Sequence, residues 1–382
     1  MKMKKFFIIA AAALVASAAC TKVQTEDVFT DGNKISFEVA SYATQTKAAG
    51  DPSTSLQAEG FETFYTYANF FQSYADPQTY MDNVAVNFTD GTPKVWAPAR
   101  DYYWPKNGHI NFYSYVNTKL TGTGNLSPEI AFDSAKTTAT ATYSDKTIGA
   151  TDNILLADAA LIQNGNRKDY IAISGVKEGV PTLFRHLLAK LHFTVKLATT
   201  TDKVSTTSKF VVTILNTGEN LSNIVADQKG SFVATNEVGT LSTATVNPWT
   251  MPNVWTPAST PVRETINMLT PTLTLPKNTQ EITAVDLLAE RTVMPQTLAS
   301  TNVFKLSYKV ETYYDDEASP YMTEYFRVES PISTLINSIT AWNKNTKVTY
   351  NIIIDPVTSK ITFDPAVEEW DATSADKNLP TT

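Results

Sequence analysis

From Phe61 onward the chain is a succession of short β-type runs cut by Gly, Pro, Asn and Asp, and this pattern narrows the fold more than any other feature. The runs are rich in Thr, Val, Ile, Tyr and Phe, whose branched or flat side chains suit a half-buried pleated surface. Residues 61–67, 84–88, 110–116 and 139–143 read as strands, and 154–160 as strand or helix. Further strands are expected at 186–195, 210–215, 224–226, 231–234, 272–275, 304–312 and 321–328. Short strands with regular turn signals argue for an all-β chain of β-sandwiches. Ile332, Leu335, Ile336 and Ile339 have helical spacing, so a helix is expected within 330–344. Residues 247–261 carry four prolines and two tryptophans and read as a long loop. Residues 348–354 and 360–363 read as a closing hairpin, with Asp355 and Pro356 in its turn.

Length and composition set the class. A chain of 382 residues favours two domains, and the boundary is placed near Pro181. Hydrophobic residues make up 42% and charged residues 18%, enough apolar material for packed cores. The net charge of −7 gives no electrostatic grip on nucleic acid. The first residues form a bacterial-type export signal. Lys2, Lys4 and Lys5 precede an apolar stretch at 6–15, and small residues follow at 16–19. Cys20 comes next and is the only cysteine in the sequence. It is read as a lipidated residue; the alternative is ordinary signal cleavage after Ala19 that leaves a free thiol. Ser17 stands three before Cys20, where such signals usually carry Leu.

The two ends of the chain share a pattern. Ile35, Phe37 and Val39 alternate close behind the signal, and Ile361 and Phe363 alternate near the C-terminus. Alternate residues of a strand face one side, so each set is an apolar ridge that fits the same kind of groove. Between the first ridge and the body lies the linker 44–52, in which Lys47 followed by Ala48 is a candidate cleavage site. The first ridge then reads as a removable strand, and the segment from Ile361 through Phe363, Val367 and Trp370 as its replacement. Pro365 interrupts the match, because it stands where Val39 stands in the first copy and cannot donate to a ladder.

Other constellations have plainer readings. Trp96, Tyr102, Tyr103, Trp104, Phe112, Tyr113 and Tyr115 are able to stack on sugars, but the strand alternation around them is that of a core. His109, His186 and His192 lack a third ligand at metal spacing, and no cofactor motif occurs. Asp315, Asp316 and Glu317 read as a solvated hairpin tip rather than a calcium loop. No nucleophile elbow, phosphate loop or zinc-protease helix occurs, so the chain is not read as an enzyme.

Several of these motifs together resemble the fimbrillin family of Bacteroidales surface pili. They are the lipoprotein signal, the strand at 35–42 followed by Thr46-Lys47-Ala48, and Tyr103-Trp104-Pro105 followed by Ile110-Asn111-Phe112-Tyr113. The run from Phe184 to Leu191 and the ending through Ile361-Thr362-Phe363 and Val367-Glu368-Glu369-Trp370 complete the set. The resemblance implies two transthyretin-like β-sandwich domains with a few short helices. It implies a signal at 1–19, a lipoprotein pro-segment at 20–47, an N-terminal domain at 48–181 and a C-terminal domain at 182–382. It also implies export as an outer-membrane lipoprotein precursor, cleavage by a maturation protease, and polymerisation with other fimbrial subunits at the cell surface by strand donation. Host proteins or glycans are the expected adhesion targets. A lipid-retaining anchor subunit and a surface glycan-binding lipoprotein are the competing readings.

Overall fold

A computed structural model describes residues 34–41, 55–58, 60–72, 76–91, 95–105, 108–116, 126–162, 179–200, 208–237, 246–314 and 317–370. The elements in chain order are β1 (Phe37–Ser41), α1 (Ser55–Ala58), β2 (Thr63–Phe71), β3 (Gln78–Thr89), β4 (Val95–Pro98) and β5 (His109–Val116). Next come β6 (Glu129–Phe132), β7 (Thr138–Thr147), β8 (Leu155–Ala157), β9 (Ala159–Ile162), β10 (Val180–His186) and β11 (Ala189–Leu197). Then follow β12 (Ser208–Leu215), β13 (Asn223–Asp227), β14 (Lys229–Glu237), β15 (Val246–Asn247), β16 (Thr256–Pro257), β17 (Arg263–Asn267) and β18 (Thr272–Leu275). The chain closes with β19 (Val285–Val293), β20 (Gln296–Thr297), β21 (Val303–Tyr314), β22 (Met322–Pro331), α2 (Ile332–Leu335), β23 (Ala341–Trp342), β24 (Thr346–Asp355) and β25 (Lys360–Glu369).

The largest sheet runs β15-β9-β5-β2-β3-β4-β1-β10-β8, and β8 also pairs with β5. That extra pairing closes a ring from β5 through β2, β3, β4, β1, β10 and β8 back to β5. A sheet closed on itself removes its own edges. Its interior is one apolar cluster that includes Phe64, Trp96, Phe112 and Phe184. Strand β5 is buried along both faces, because its outward side chains Tyr113 and Tyr115 pack under a second sheet. That sheet has the order β16-β14-β7-β6.

The remaining large sheets form a sandwich. The four-stranded sheet β19-β11-β24-β25 faces the sheet β17-β13-β21-β12-β18, with β22 paired to β21. Strict alternation along β11 puts Leu191, Phe193 and Val195 inward. Phe193 stacks on Phe304 across the gap at 5.9 Å and on Tyr350 beside it at 4.7 Å.

Several sequence expectations change in detail. The run at 186–195 is two strands, because Leu187 and Leu188 are buried between the units while the chain passes from β10 to β11. Pro181 lies within β10, opposite Glu38 of β1. The helix expected in 330–344 is only the four residues of α2; Ile336 and Ile339 are buried beyond it in irregular chain, held by the sandwich core. Strand β14 leaves the C-terminal half of the sequence to pair with β7 over most of its length. The two halves of the chain therefore share a layer.

Truncating Phe304 tests the sandwich. Phe304→Ala removes ring contacts with Phe193 and Phe363 and should lower unfolding free energy by about 3–5 kcal/mol in chemical denaturation.

Candidate functional site: the β1 slot and the C-terminal strand

Strand β1 is one stave of the closed ring. It runs parallel to β10, in the register Phe37↔Val180 to Ser41↔Phe184. On its other side it runs antiparallel to β4, with Phe37↔Trp96 paired and Lys34 bridged to Tyr103. Ile35, Phe37 and Val39 are 2%, 4% and 0% exposed and all face the ring interior. The Phe37 ring meets Phe64 edge-on at 5.3 Å and Phe112 at 5.7 Å. The predicted ridge is thus a deeply buried plug. Cys20, Lys47 and Ala48 lie outside the described residues.

The backbone pattern divides β1 by parity. Val180 donates its N–H to the Ser36 carbonyl at 2.7 Å, and Ile35 donates to the Tyr102 carbonyl at 2.7 Å. The N–H and C=O of one strand residue point the same way, and neighbouring residues alternate. Ser36, Glu38 and Ala40 therefore bond toward β10, while Ile35, Phe37 and Val39 bond toward β4. Both walls of the slot are tied down independently of β1. Four residue pairs join β4 to β3, and three join β10 to β8. Arg185 of β10 adds a two-point ion pair to Asp158, with N–O distances of 2.8 and 2.6 Å and a carboxylate side chain only 1% exposed. Gly179 leads into β10, and a Cβ there would stand 2.8 Å from the Glu38 nitrogen and 2.9 Å from the Phe37 carbonyl carbon. Only a residue without a side chain lets the two backbones come this close.

The C-terminal segment is an intrachain edge strand. β25 pairs antiparallel with β24 without a register shift from Lys360↔Asp355 to Glu369↔Thr346. Ala198 donates to the Ile354 carbonyl, so the even residues of β24 bond toward β11 and the odd ones toward β25. Asn351 and Asp364 form one such bonded pair; Phe363↔Ile352 and Pro365↔Tyr350 are the non-bonded pairs between. The backbone groups of Ile361, Phe363, Pro365 and Val367 thus point to the free edge. Pro365 keeps the ladder intact because its missing N–H would have faced outward. Ile361 and Phe363 are half-buried on the sandwich core, with Phe363 edge-on to Phe304 at 5.5 Å. Val367 is 54% exposed.

Trp370 fastens the end of this strand to the rest of the molecule. Its ring stacks on His186 at 4.5 Å, Lys190 Nζ lies 4.5 Å from the ring centroid, and the Trp370 backbone N–H donates to the Asn345 carbonyl. Lys190 and Lys347 both hold Glu290, each at 2.7 Å. Burial pushes the Glu290 carboxyl up, but the two lysines outweigh it and leave it below its ordinary value. A depressed carboxylate contributes stability above its unfolded pKa and loses it as pH falls through the folded one, so this tie weakens in acid.

The other singled-out residues sit elsewhere. Trp96, Tyr102 and Phe112 line the ring interior, Tyr113 and Tyr115 lie between sheets, and Trp104 packs edge-on to Phe112 at 5.9 Å. Burial raises the Tyr113 hydroxyl pKa above its ordinary value. His109 stacks flat on Phe71, and His192 pairs with Asp286. Among the described residues no group of three His, Cys, Asp or Glu side chains is placed to hold a metal ion. Asp315 and Asp316 lie outside the described residues. Sequence reading missed Gly179, the Arg185–Asp158 pair and the neighbours of β1, since no local pattern signals a long-range parallel pairing.

No protein-family model matches the chain, and no curated protein does. Solved structures do. A fimbrial protein from Bacteroides vulgatus ATCC 8482 is 16% identical over 88% of this chain and 100% of its own, with a TM-score of 0.45. A candidate cell adhesion protein from Bacteroides uniformis ATCC 8492 is 15% identical over 90% of this chain and 99% of its own, with a TM-score of 0.38. Another, from Bacteroides ovatus ATCC 8483, is 13% identical over 89% and 98%, with a TM-score of 0.38.

Gly179→Ala should loosen β1 without touching the ridge. Amide exchange at residues 36–40 should quicken, and stability should fall by about 1–3 kcal/mol, as overpacking typically costs.

Proposed function

We propose that the chain is a structural subunit of a cell-surface fimbrium, shaft or tip, assembled by proteolysis-triggered strand exchange and serving adhesion. The observation that carries this reading is the seat of β1: an N-terminal strand, joined to the body through residues 42–54, that plugs a ring whose walls are held without it. The two units are read as transthyretin-like sandwiches. Cys20 is the lipid attachment of the outer-membrane precursor, and Lys47 the site of cleavage by a maturation protease.

The energetics set the order of events. Burying Ile35, Phe37 and Val39 contributes roughly 1.5–3 kcal/mol each before ordering costs. While β1 is attached, its effective concentration is of order millimolar, and a free strand competes poorly. Cutting the linker ends that advantage. Departure of β1 then exposes an apolar groove between two unpaired strand edges, which an extended segment of another subunit fills by β-augmentation. Within this chain, β25 has a matching ridge that is only half-covered on its own sandwich. Moving it into a slot where the same positions are nearly inaccessible gains burial.

The test has two parts. Protein extracted from the cell surface should begin at Ala48, leaving 382 − 47 = 335 residues. A mature chain that still begins at lipidated Cys20 would mark an anchor subunit instead. In protease-matured protein, Phe363→Asp should abolish the SDS-resistant, heat-sensitive ladder; polymers of unchanged length would remove β25 as the donor.

A further inference from the structure

Pro365 is the one residue between Lys360 and Glu369 that cannot donate to a ladder, and the parity of the slot decides where it fits. We infer that Pro365 is a register key: residues 361–366 of a second copy enter the β1 slot only with Ile361 at the position of Ile35, Phe363 at that of Phe37, and Pro365 at that of Val39. The inference rests on the strand-exchange reading above and specifies its register.

In that alignment Thr362, Asp364 and Ala366 take the places of Ser36, Glu38 and Ala40 and supply every N–H that faces β10. Phe363 takes over the pairing with Trp96, the sole β1–β4 ladder pair among the described residues. Pro365 falls beyond that pair, on the side turned away from β10, where its lack of an N–H costs no described ladder bond. Its small ring replaces Val39 in the interior.

Each neighbouring register fails for a stated reason. A one-residue slip turns the ridge out of the ring and sets Pro365 against β10, where an N–H is required. A two-residue slip one way brings Ser359 to the Ile35 position, which is 2% exposed and apolar. The two-residue slip the other way keeps an apolar ridge, since Phe363 and Val367 would flank the central site. It places Pro365 at the Phe37 position, opposite Trp96, and removes that ladder bond. Proline forbids this last register through the missing N–H, and the empty Phe37 seat beside Phe64 and Phe112 adds to the cost.

Disulfide capture reads the register directly. The only native cysteine, Cys20, precedes the cut. Glu38 stands opposite Pro181, and adjacent strands lie about 4.8 Å apart, within disulfide reach. Matured Pro181→Cys protein is mixed with matured Asp364→Cys or Ala366→Cys protein, and intersubunit dimers are quantified after oxidation. Asp364→Cys should cross-link roughly tenfold more than Ala366→Cys. Adding Pro365→Val restores the N–H opposite Trp96 and should raise the Ala366→Cys yield relative to Asp364→Cys, short of equality because Val leaves part of the Phe37 seat empty. If Pro365→Val leaves the preference for position 364 unchanged, the register-key inference is overturned and strand exchange stands. If neither position cross-links in either background while the proteins remain folded by circular dichroism, strand exchange through β25 itself is overturned.

Discussion

The seating of β1 between β4 and β10 is the contact on which the N-terminal unit depends. A sheet that closes on itself has no edges to protect, and here closure passes through a strand of five residues at the start of the described chain. Every residue of that strand works in two directions. Phe37 and Val39 complete the interior around Phe64 and Phe112, and the backbone bridges two strands that would otherwise face each other as open edges. The same contact that completes the fold keeps the edges of β4 and β10 covered.

The C-terminal strand obeys the same parity under weaker constraint. Ile361 and Phe363 use their side chains on the sandwich core and leave their backbone groups at a free edge. Pro365 in the middle of that edge removes one donor where a strand from another molecule would need it, a device edge strands use against uncontrolled pairing. Trp370, held by His186 and Lys190, ties the far end of the strand to the junction of the two units. The strand is therefore anchored at its two ends, by the hairpin turn and by an indole, and covered only in part between them.

Much of this was legible in the residues. Alternation at Ile35, Phe37 and Val39 marked a strand with one apolar face, because side-chain period depends only on local geometry. The hairpin around Asp355 and Pro356 was legible for the same reason. The run from His186 to Val195 was not, since Leu187 and Leu188 look like strand interior until the packing of two units makes them the buried crossing point. The helix expected near Ile332 failed similarly: its spaced isoleucines are held by the sandwich rather than by helical hydrogen bonds. The pairing of β14 with β7 joins residues far apart in sequence, and no propensity encodes such a partner.

By itself the sequence determined the all-β class and the two apolar ridges, because each depends on residue type and short-range order. Tertiary structure alone decided that the first ridge closes a ring, that Gly179 admits its backbone, and that the second ridge lies half-covered at an edge. It also decided which way each backbone N–H points, and so changed the meaning of Pro365. In sequence that proline was a flaw in the match between two ends. In the β24–β25 ladder it falls at an outward-facing position where a missing N–H costs nothing, because hydrogen-bond parity is a property of paired strands and not of one strand alone.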